Sequence, residues 1–368
     1  MAVTYSPQQE TPPQTAPVRR NLLRVHPLVF CAVALVVVMI GAMAVGRFWV
    51  PPNEIIRLLA SRAIDVMPFV QQSPIRQTWT GAEATVIMDV RLPRVLLAFV
   101  VGGALSLGGA CLQALFRNPL VSPDIIGVTA GASFGGVLVL MFGLSAAWLV
   151  GGAFGFGLLA LAIVLALGRL GGGAPMLMIV LGGIVVAAFF NACVSFLTYI
   201  ADPYSELPSI VHWLLGSLAS ASYDKVLIAL IPVTIGAVAI LGMRWRLNVL
   251  SLGDDDAAAL GVNPRRARLL LLSAVALMTA GTVAVAGAVS WVGLVVPHLA
   301  RLWVGTDHRV LLPTSLLLGG TYLVVIDTLA RSLGSSEIPL GILTAMIGAP
   351  VFVLLLANSR KKAWLNGN

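Results

Sequence analysis

Long apolar runs alternate with short polar segments along almost the whole chain. Because a helix needs about 20 apolar residues to cross the hydrocarbon core of a membrane, we predict ten spans. The eighth is short and contains Pro297, which predicts a half-helix or a tilted element. The ten spans are placed at residues 28–49, 95–115, 125–143, 146–167, 175–198, 225–243, 267–289, 293–304, 310–330 and 339–357.

Composition supports this interpretation. The 368 residues are 58% hydrophobic and only 10% charged, and the mean hydropathy is +0.96. Soluble domains carry about 25% charged residues, so a soluble enzyme of this length is not expected. The chain is predicted to be an all-α polytopic membrane protein with membrane lipid around it.

The basic residues set the predicted topology. The net charge is +8, but the basic residues are scattered between apolar runs, so no nucleic-acid partner is expected. With a cytosolic N-terminus, ten spans place 15 of the 23 basic residues in the cytosol, as the positive-inside rule requires. We predict cytosolic tails at 1–27 and 358–368, flanking a transmembrane domain over 28–357.

Two segments outside the spans are predicted to fold locally. Residues 50–90 form an outer loop that begins with a short amphipathic helix near Pro52. Residues 244–268 are cytosolic and contain a short helix in which Asp254 can serve as the N-cap and Gly261 can end the helix.

Glycines are dense within the spans, which favours close helix packing in lipid. Gly102 and Gly108 are six residues apart, as are Gly281 and Gly287, and a proline follows each pair. The two helices would run in opposite directions across the membrane. This weak internal similarity is typical of an inverted repeat.

No catalytic or metal-binding constellation is found. The chain has no Gly-rich phosphate loop followed by Lys and Ser or Thr, and its three cysteines are scattered. His298, beside Pro297, is given a local structural role in preference to a ligand role. We expect no cofactor, no bound metal and no enzymatic activity in this chain.

Polar residues within the spans leave two alternatives open. They can line a translocation pathway or hydrogen-bond between helices. The possible pathway residues are Ser106, Gln113, Asn191, Ser195 and Thr198. Asp327 and Arg331, four residues apart near an outer helix end, form either a functional pair or a local ion pair.

Several motifs in a fixed order then identify a family. They are Arg91–Arg94 (RLPR), 102–110 (GGALSLGGA), 113–120 (QALFRNPL), 123–128 (PDIIGV), 252–262, 291–298 (WVGLVVPH), 307–309 (DHR), 339–342 (PLGI) and 348–352 (GAPVF). Over about residues 28–357 the chain resembles the FecCD-type permeases, the membrane subunits of bacterial ABC importers for ferric siderophores, haem and vitamin B12.

The resemblance implies a type II importer permease in the cytoplasmic membrane. The implied partners are a second copy or a related permease, two ATPase subunits that bind ATP and Mg²⁺, and a periplasmic or lipid-anchored substrate-binding protein. Arg91, Arg94 and Arg331 match the outer arginines that receive glutamates of the binding protein, with Asp327 orienting Arg331. Segment 250–262 resembles the ATPase coupling helix, with Leu252, Gly253, Asp254, Asp255, Asp256, Ala257, Leu260 and Gly261 as its coupling residues.

The resulting hypothesis is an ATP-driven permease for a ferric siderophore that works by alternating access. Haem and cobalamin are alternative substrates, because the residues do not select among them. An ion-gradient-driven secondary transporter is the alternative from another class. The lack of mid-span carboxylates outside the Asp327–Arg331 pair argues against it, since proton-coupled transporters place such groups deep in the bundle. A structural scaffold is a third alternative.

Overall fold

The computed structural model describes residues 26–65, 74–170, 175–334 and 336–365, and every regular element in them is helical. Most of the predicted N-terminal tail therefore lies outside the described residues. The α-helices are α1 (Pro27–Ala44), α2 (Pro52–Asp65), α3 (Gly81–Thr85), α4 (Leu92–Leu115), α5 (Val128–Met141), α6 (Ala146–Leu170), α7 (Pro175–Ile200), α8 (Glu206–Leu214), α9 (Tyr223–Gly242), α10 (Arg244–Leu250), α11 (Asp254–Ala259), α12 (Pro264–Ala286), α13 (Val292–Val304), α14 (His308–Ser332) and α15 (Leu340–Leu365).

The ten predicted spans all correspond to helices. In the described part of the chain, seven helical segments are long and apolar enough to cross a membrane, and three shorter apolar helices coincide with the third, eighth and tenth predicted spans. The chain is thus an all-α polytopic protein. The predicted short eighth element is α13, with 13 residues and Pro297 inside it.

Two predicted spans were drawn three or more residues too long at the C-terminal end. The first ends at Ala44 rather than 49, and arginine side chains bond to its last carbonyls, as described below. The seventh ends at Ala286 rather than 289, because Gly287 adopts a φ of +71°, a backbone conformation that favours glycine. The last helix continues to Leu365, beyond the predicted boundary at 357.

Helix α4 forms the centre of the bundle. In the segment Gly81–Leu115 that contains it, 89% of the most apolar window is buried, against 28% for α1, α6 and α7. Two glycines allow this burial. A Cβ on Gly102 would lie 2.3 Å from the carbonyl oxygen of Gly319 in α14, and one on Gly109 would lie 1.8 Å from that of Gly293 in α13. The backbones touch at both crossings, as small residues permit in membrane proteins.

The bundle has two ends, and the chain path fixes what each carries. Helix α1 ends, and α4 begins, at the end formed by Arg91, Arg94 and Arg331, which we call the arginine end. The loop after α4 lies at the other end beside α11, where Arg117 donates a 2.7 Å hydrogen bond to the carbonyl of Leu250. With 24 residues at about 1.5 Å each, α4 separates the two ends by about 36 Å, more than the roughly 30 Å of a hydrocarbon core.

Candidate functional site: an arginine cluster and a short exposed helix

At the arginine end, two guanidinium groups cap the C-terminus of α1. The last carbonyls of a helix have no partner within it. Arg91 Nη1 donates to the carbonyl of Met43 at 2.5 Å and to that of Ala44 at 3.2 Å. Arg331 donates to the carbonyls of Val45, at 2.6 Å, and Ala42. Both cations face the negative end of the α1 dipole, which stabilises them there.

Gly46 lies where these two side chains converge. A Cβ at this position would lie 2.7 Å from Arg91 Nη2 and 3.0 Å from Arg331 Nη1. Both distances are shorter than an ordinary van der Waals contact. The glycine after α1 thus makes room for both arginines.

Arg94 holds two carboxylates at once. Its Nε donates to both oxygens of Asp327 at 2.9 and 3.0 Å, and its Nη1 and Nη2 donate to Glu337 Oε1 and Oε2 at 2.8 and 2.9 Å. Such forked, charge-assisted pairs are strong and geometrically specific. Asp327 lies 3.7 Å from Arg331 Nε, so it contacts Arg331 as predicted but is held chiefly by Arg94.

A π-helical turn at Val86–Arg91 leads into α4 and places these arginines. Turns of this kind are rare and occur frequently at functional sites. Tyr223, the first residue of α9, donates a 2.5 Å hydrogen bond to the carbonyl of Met88 within the turn. Arg91 and Arg94 both become buried in the cluster.

Glu337 is a site residue that the sequence reasoning missed. It lies in the loop between α14 and α15, outside the spans, and hydrogen bonds from Arg94 lower the pKa of its carboxyl. An acidic residue six positions after Arg331, just ahead of the 339–342 motif, was the available signal.

At the opposite end, α11 is almost entirely exposed. Its buried positions are Ala257 and, just beyond the helix, Val262. Leu252 and Leu260, on either side of it, are 61% and 54% exposed. A short helix flanked by exposed leucine side chains is a surface suited to binding a protein partner.

The ends of α11 agree with prediction only in part. Gly261, at φ +79°, ends it as predicted, and the amides of Gly261 and Val262 bond back to the carbonyls of Ala258 and Ala257 at 3.0 and 2.9 Å, a Schellman arrangement. The prediction that Asp254 caps the helix is wrong, because Gly253 occupies the N-cap. The Asp254 carboxylate instead pairs with Arg268 of α12, which lowers its pKa.

The five predicted pathway residues fall into two groups. Ser106 and Gln113 are buried inside the chain: Ser106 packs against Gly319, and Gln113 bonds to the carbonyl of Leu294 and accepts from Arg301. The other group is on α7. Asn191 and Ser195 are exposed on one face, and Thr198 donates to the carbonyl of Val194. Only α7 therefore presents predicted pathway residues at a surface.

His298, given a structural role from the sequence, is buried in α13. Neither ring nitrogen has a hydrogen-bond partner, and the ring lies 6.3 Å from that of Phe352. Among the described residues, no group of three or more His, Cys, Asp or Glu side chains is arranged to hold a metal ion.

Comparison with known proteins places this architecture in a family. The sequence profile of the FecCD transport family matches residues 34–358. The molybdate import permease MolB of Haemophilus influenzae is 41% identical over 324 residues, covering 88% of this chain and 92% of MolB. A permease named for an iron chelatin transport system of Helicobacter pylori strain 26695 is 40% identical over 275 residues, covering 75% and 83%.

A solved structure agrees with the sequence relatives. An ABC transporter of metal-chelate type, in an inward-facing conformation, superposes with a TM-score of 0.78 at 39% identity, covering 90% of this chain and 98% of that one. The fold is that of an ABC importer permease. The chain belongs to the FecCD transport family, and it is a multi-span permease subunit of the ABC transporter class.

Proposed function

We propose that this chain is one of two permease copies in an importer that moves a ferric siderophore across the bacterial cytoplasmic membrane. A substrate-binding protein docks at the arginine end, two ATPase subunits dock around α11, and ATP is hydrolysed on those subunits. The observation that carries the proposal is the placement of the arginine cluster and the exposed α11 at opposite ends of one helix, α4, about 36 Å apart.

The chain path supports the orientation. Helix α1 ends at the arginine end, so it starts at the α11 end; α15 starts at the arginine end and runs back. The N-terminal end of α1 and the C-terminal end of α15 therefore lie on the α11 side. The predicted cytosolic basic residues cluster on that side too, as the positive-inside rule expects. They include Arg117, Arg244, Arg246, Arg265, Arg266, Arg268 and Arg309.

Two exposed polar residues of α7 support a second copy. Asn191 and Ser195, four residues apart, are neighbours on one helix face and are uncovered in the single chain. Polar side chains facing hydrocarbon are unfavourable, so this face is expected to meet a water-filled pathway or another polypeptide. In the proposed dimer the α7 helices of the two copies face the pathway.

The siderophore assignment is supported by the iron chelatin permease and by the metal-chelate type structure. A second candidate substrate is molybdate. Its supporting observation is the similarity to MolB, which extends over 92% of that protein. Haem and cobalamin remain alternatives from the sequence, since the exposed polar residues of α7, Asn191 and Ser195, are uncharged and select none of these cargoes.

The test is uptake by cells that lack this chain and then regain it. We expect ⁵⁵Fe-siderophore uptake under iron starvation to be lost and restored, while ⁹⁹Mo-molybdate uptake stays unchanged. The opposite result would assign molybdate as the substrate. If neither uptake depends on this chain, the same experiment with haem and cobalamin decides between them. Uptake that survives ATP depletion but stops with a protonophore would contradict the ABC mechanism.

A further inference from the structure

Arg94 has an inner and an outer carboxylate partner. The inner one, Asp327, belongs to α14 and its side chain is 1% exposed. The outer one, Glu337, belongs to the loop between α14 and α15 and its side chain is 35% exposed. Both are within 3.0 Å of the guanidinium. Only Glu337 can leave Arg94 without the bundle opening.

The charges around Glu337 require that an anion occupy its place. In the described residues of the cluster, three guanidinium groups, the buried Arg91 and Arg94 and the partly buried Arg331, face two carboxylates, and Arg47 also attracts the Glu337 carboxylate. If Glu337 moved away with no replacement, Asp327 alone would face the three arginines. An uncompensated buried charge is strongly unfavourable, so departure of Glu337 is coupled to arrival of another anion.

There is space for the replacement. A cavity of about 430 Å³ lies beside the cluster, lined by Arg91, Arg94, Arg331 and Glu337 among others. Arg91 and Arg331 are committed to the carbonyls at the end of α1. In contrast, Arg94 Nη1 and Nη2, which we call the Arg94 fork, have a partner that can be exchanged. A carboxylate matches the planar geometry of this fork best.

We infer that Glu337 is a built-in competitor for the docking partner: it occupies the Arg94 fork in the free permease, and a carboxylate of the substrate-binding protein replaces it on docking. This inference rests on the proposed docking function. Since one ion pair is exchanged for another, Arg94 stays paired throughout. The contribution of this exchange to docking affinity is the difference in free energy between the Arg94–Glu337 pair and the pair that replaces it.

The exchange involves the Glu337 side chain more than the backbone. The next residue, Ile338, donates its amide to the carbonyl of Ala330 at 3.0 Å, and Leu340 donates to Gly216 at 2.9 Å. These bonds hold the start of α15 on both sides. Rotation of the Glu337 side chain is therefore sufficient to free the fork, and no helix needs to unfold.

The test uses the permease–ATPase complex in nanodiscs and its fluorescently labelled substrate-binding protein. Glu337→Gln keeps the shape of the side chain and removes its charge, so the competitor is weakened. We expect docking to tighten by about tenfold, which corresponds to about 1.4 kcal/mol. Glu337→Asp keeps the charge but shortens the reach, and we expect an intermediate gain. A thiol-reactive dye that reports exposure of buried cysteines on heating checks that both variants are folded.

Asp224→Asn is the matched control, because Asp224 is an exposed acid at the start of α9 on the same end of the bundle. We expect it to change docking less than twofold, as a surface charge remote from the fork should. If folded Glu337→Gln docks no tighter than the control, the competitor role is refuted while docking stands. If the wild-type complex does not dock the binding protein at all, the proposed function itself fails, and the inference with it.

Discussion

Replacing Gly109 by alanine tests the helix contacts that hold the bundle together. The new Cβ would lie 1.8 Å from the carbonyl oxygen of Gly293, 2.6 Å from its carbonyl carbon and 2.8 Å from its Cα. All three atoms are backbone, so no side chain can rotate away. To restore an ordinary contact of about 3.5 Å, α4 and α13 must separate by more than about 1.5 Å. Overpacking typically costs about 1–3 kcal/mol, and a contact between two backbones, which no side-chain rotation can relieve, is expected at the upper end of that range.

The control is Gly155→Ala in α6, where no atom lies within 4 Å of the new Cβ. There the better helix propensity of alanine is expected to stabilise by up to about 1 kcal/mol. Cys31 and Cys111 are free and buried, so a thiol-reactive fluorophore reports unfolding on heating. We expect Gly109→Ala to lower Tm by several degrees and Gly155→Ala to leave it unchanged or raise it. Equal Tm values for the two variants would refute the close α4–α13 contact.

Three further predictions concern the α11 end and the α7 face. Asp254→Asn removes the pair with Arg268; because the carboxylate is half exposed, its loss is expected to cost at most about 0.5 kcal/mol. The pKa of Asp254 is lowered in the folded protein. The stability that the pair contributes is therefore present above about pH 4, the unfolded pKa, and is lost as the pH falls through the folded pKa. In Asp254→Asn, the fall of Tm on acidification should be smaller by this contribution. Gly261→Ala forces a side chain into φ +79°, at about 1 kcal/mol, and is expected to reduce substrate-stimulated ATP hydrolysis while basal hydrolysis persists; equal stimulation would contradict a coupling role. Replacing Asn191 and Ser195 by leucine is expected to reduce uptake with little change in Tm; unchanged uptake with a raised Tm would place the α7 face against lipid.

The helices could be predicted because the membrane simplifies the problem. Each span must bury its backbone polar groups in its own hydrogen bonds, so an apolar run of sufficient length is a helix. The predicted order of ten elements, including the short α13, is confirmed. Helices α3, α8 and α10 were missed because they are short and lie outside the predicted spans, where hydropathy gives no signal.

The side-chain partners could be predicted less well. Proximity in sequence suggested the Asp327–Arg331 pair, four residues apart on one helix. The stronger partner of Asp327 is Arg94, 233 positions away. No local pattern encodes that contact, because it exists only once α4 and α14 cross at Gly102 and Gly319. The same crossing buries Ser106, which on sequence alone was an equally good pathway residue.

The two proposed docking surfaces are connected through one rigid element. Helix α4 begins at the π-helical turn that carries Arg91, and just beyond its end Arg117 contacts the carbonyl of Leu250 and lies 3.9 Å from Asp254 of α11. Arg117 has a φ of +50°, an uncommon conformation for a residue with a side chain and one that marks functional or strained positions. Glycine contacts clamp α4 against α13 and α14, so bending it in the middle would open backbone contacts at Gly102 or Gly109. A displacement at either end is therefore expected to move α4 as a whole, together with the helices it touches.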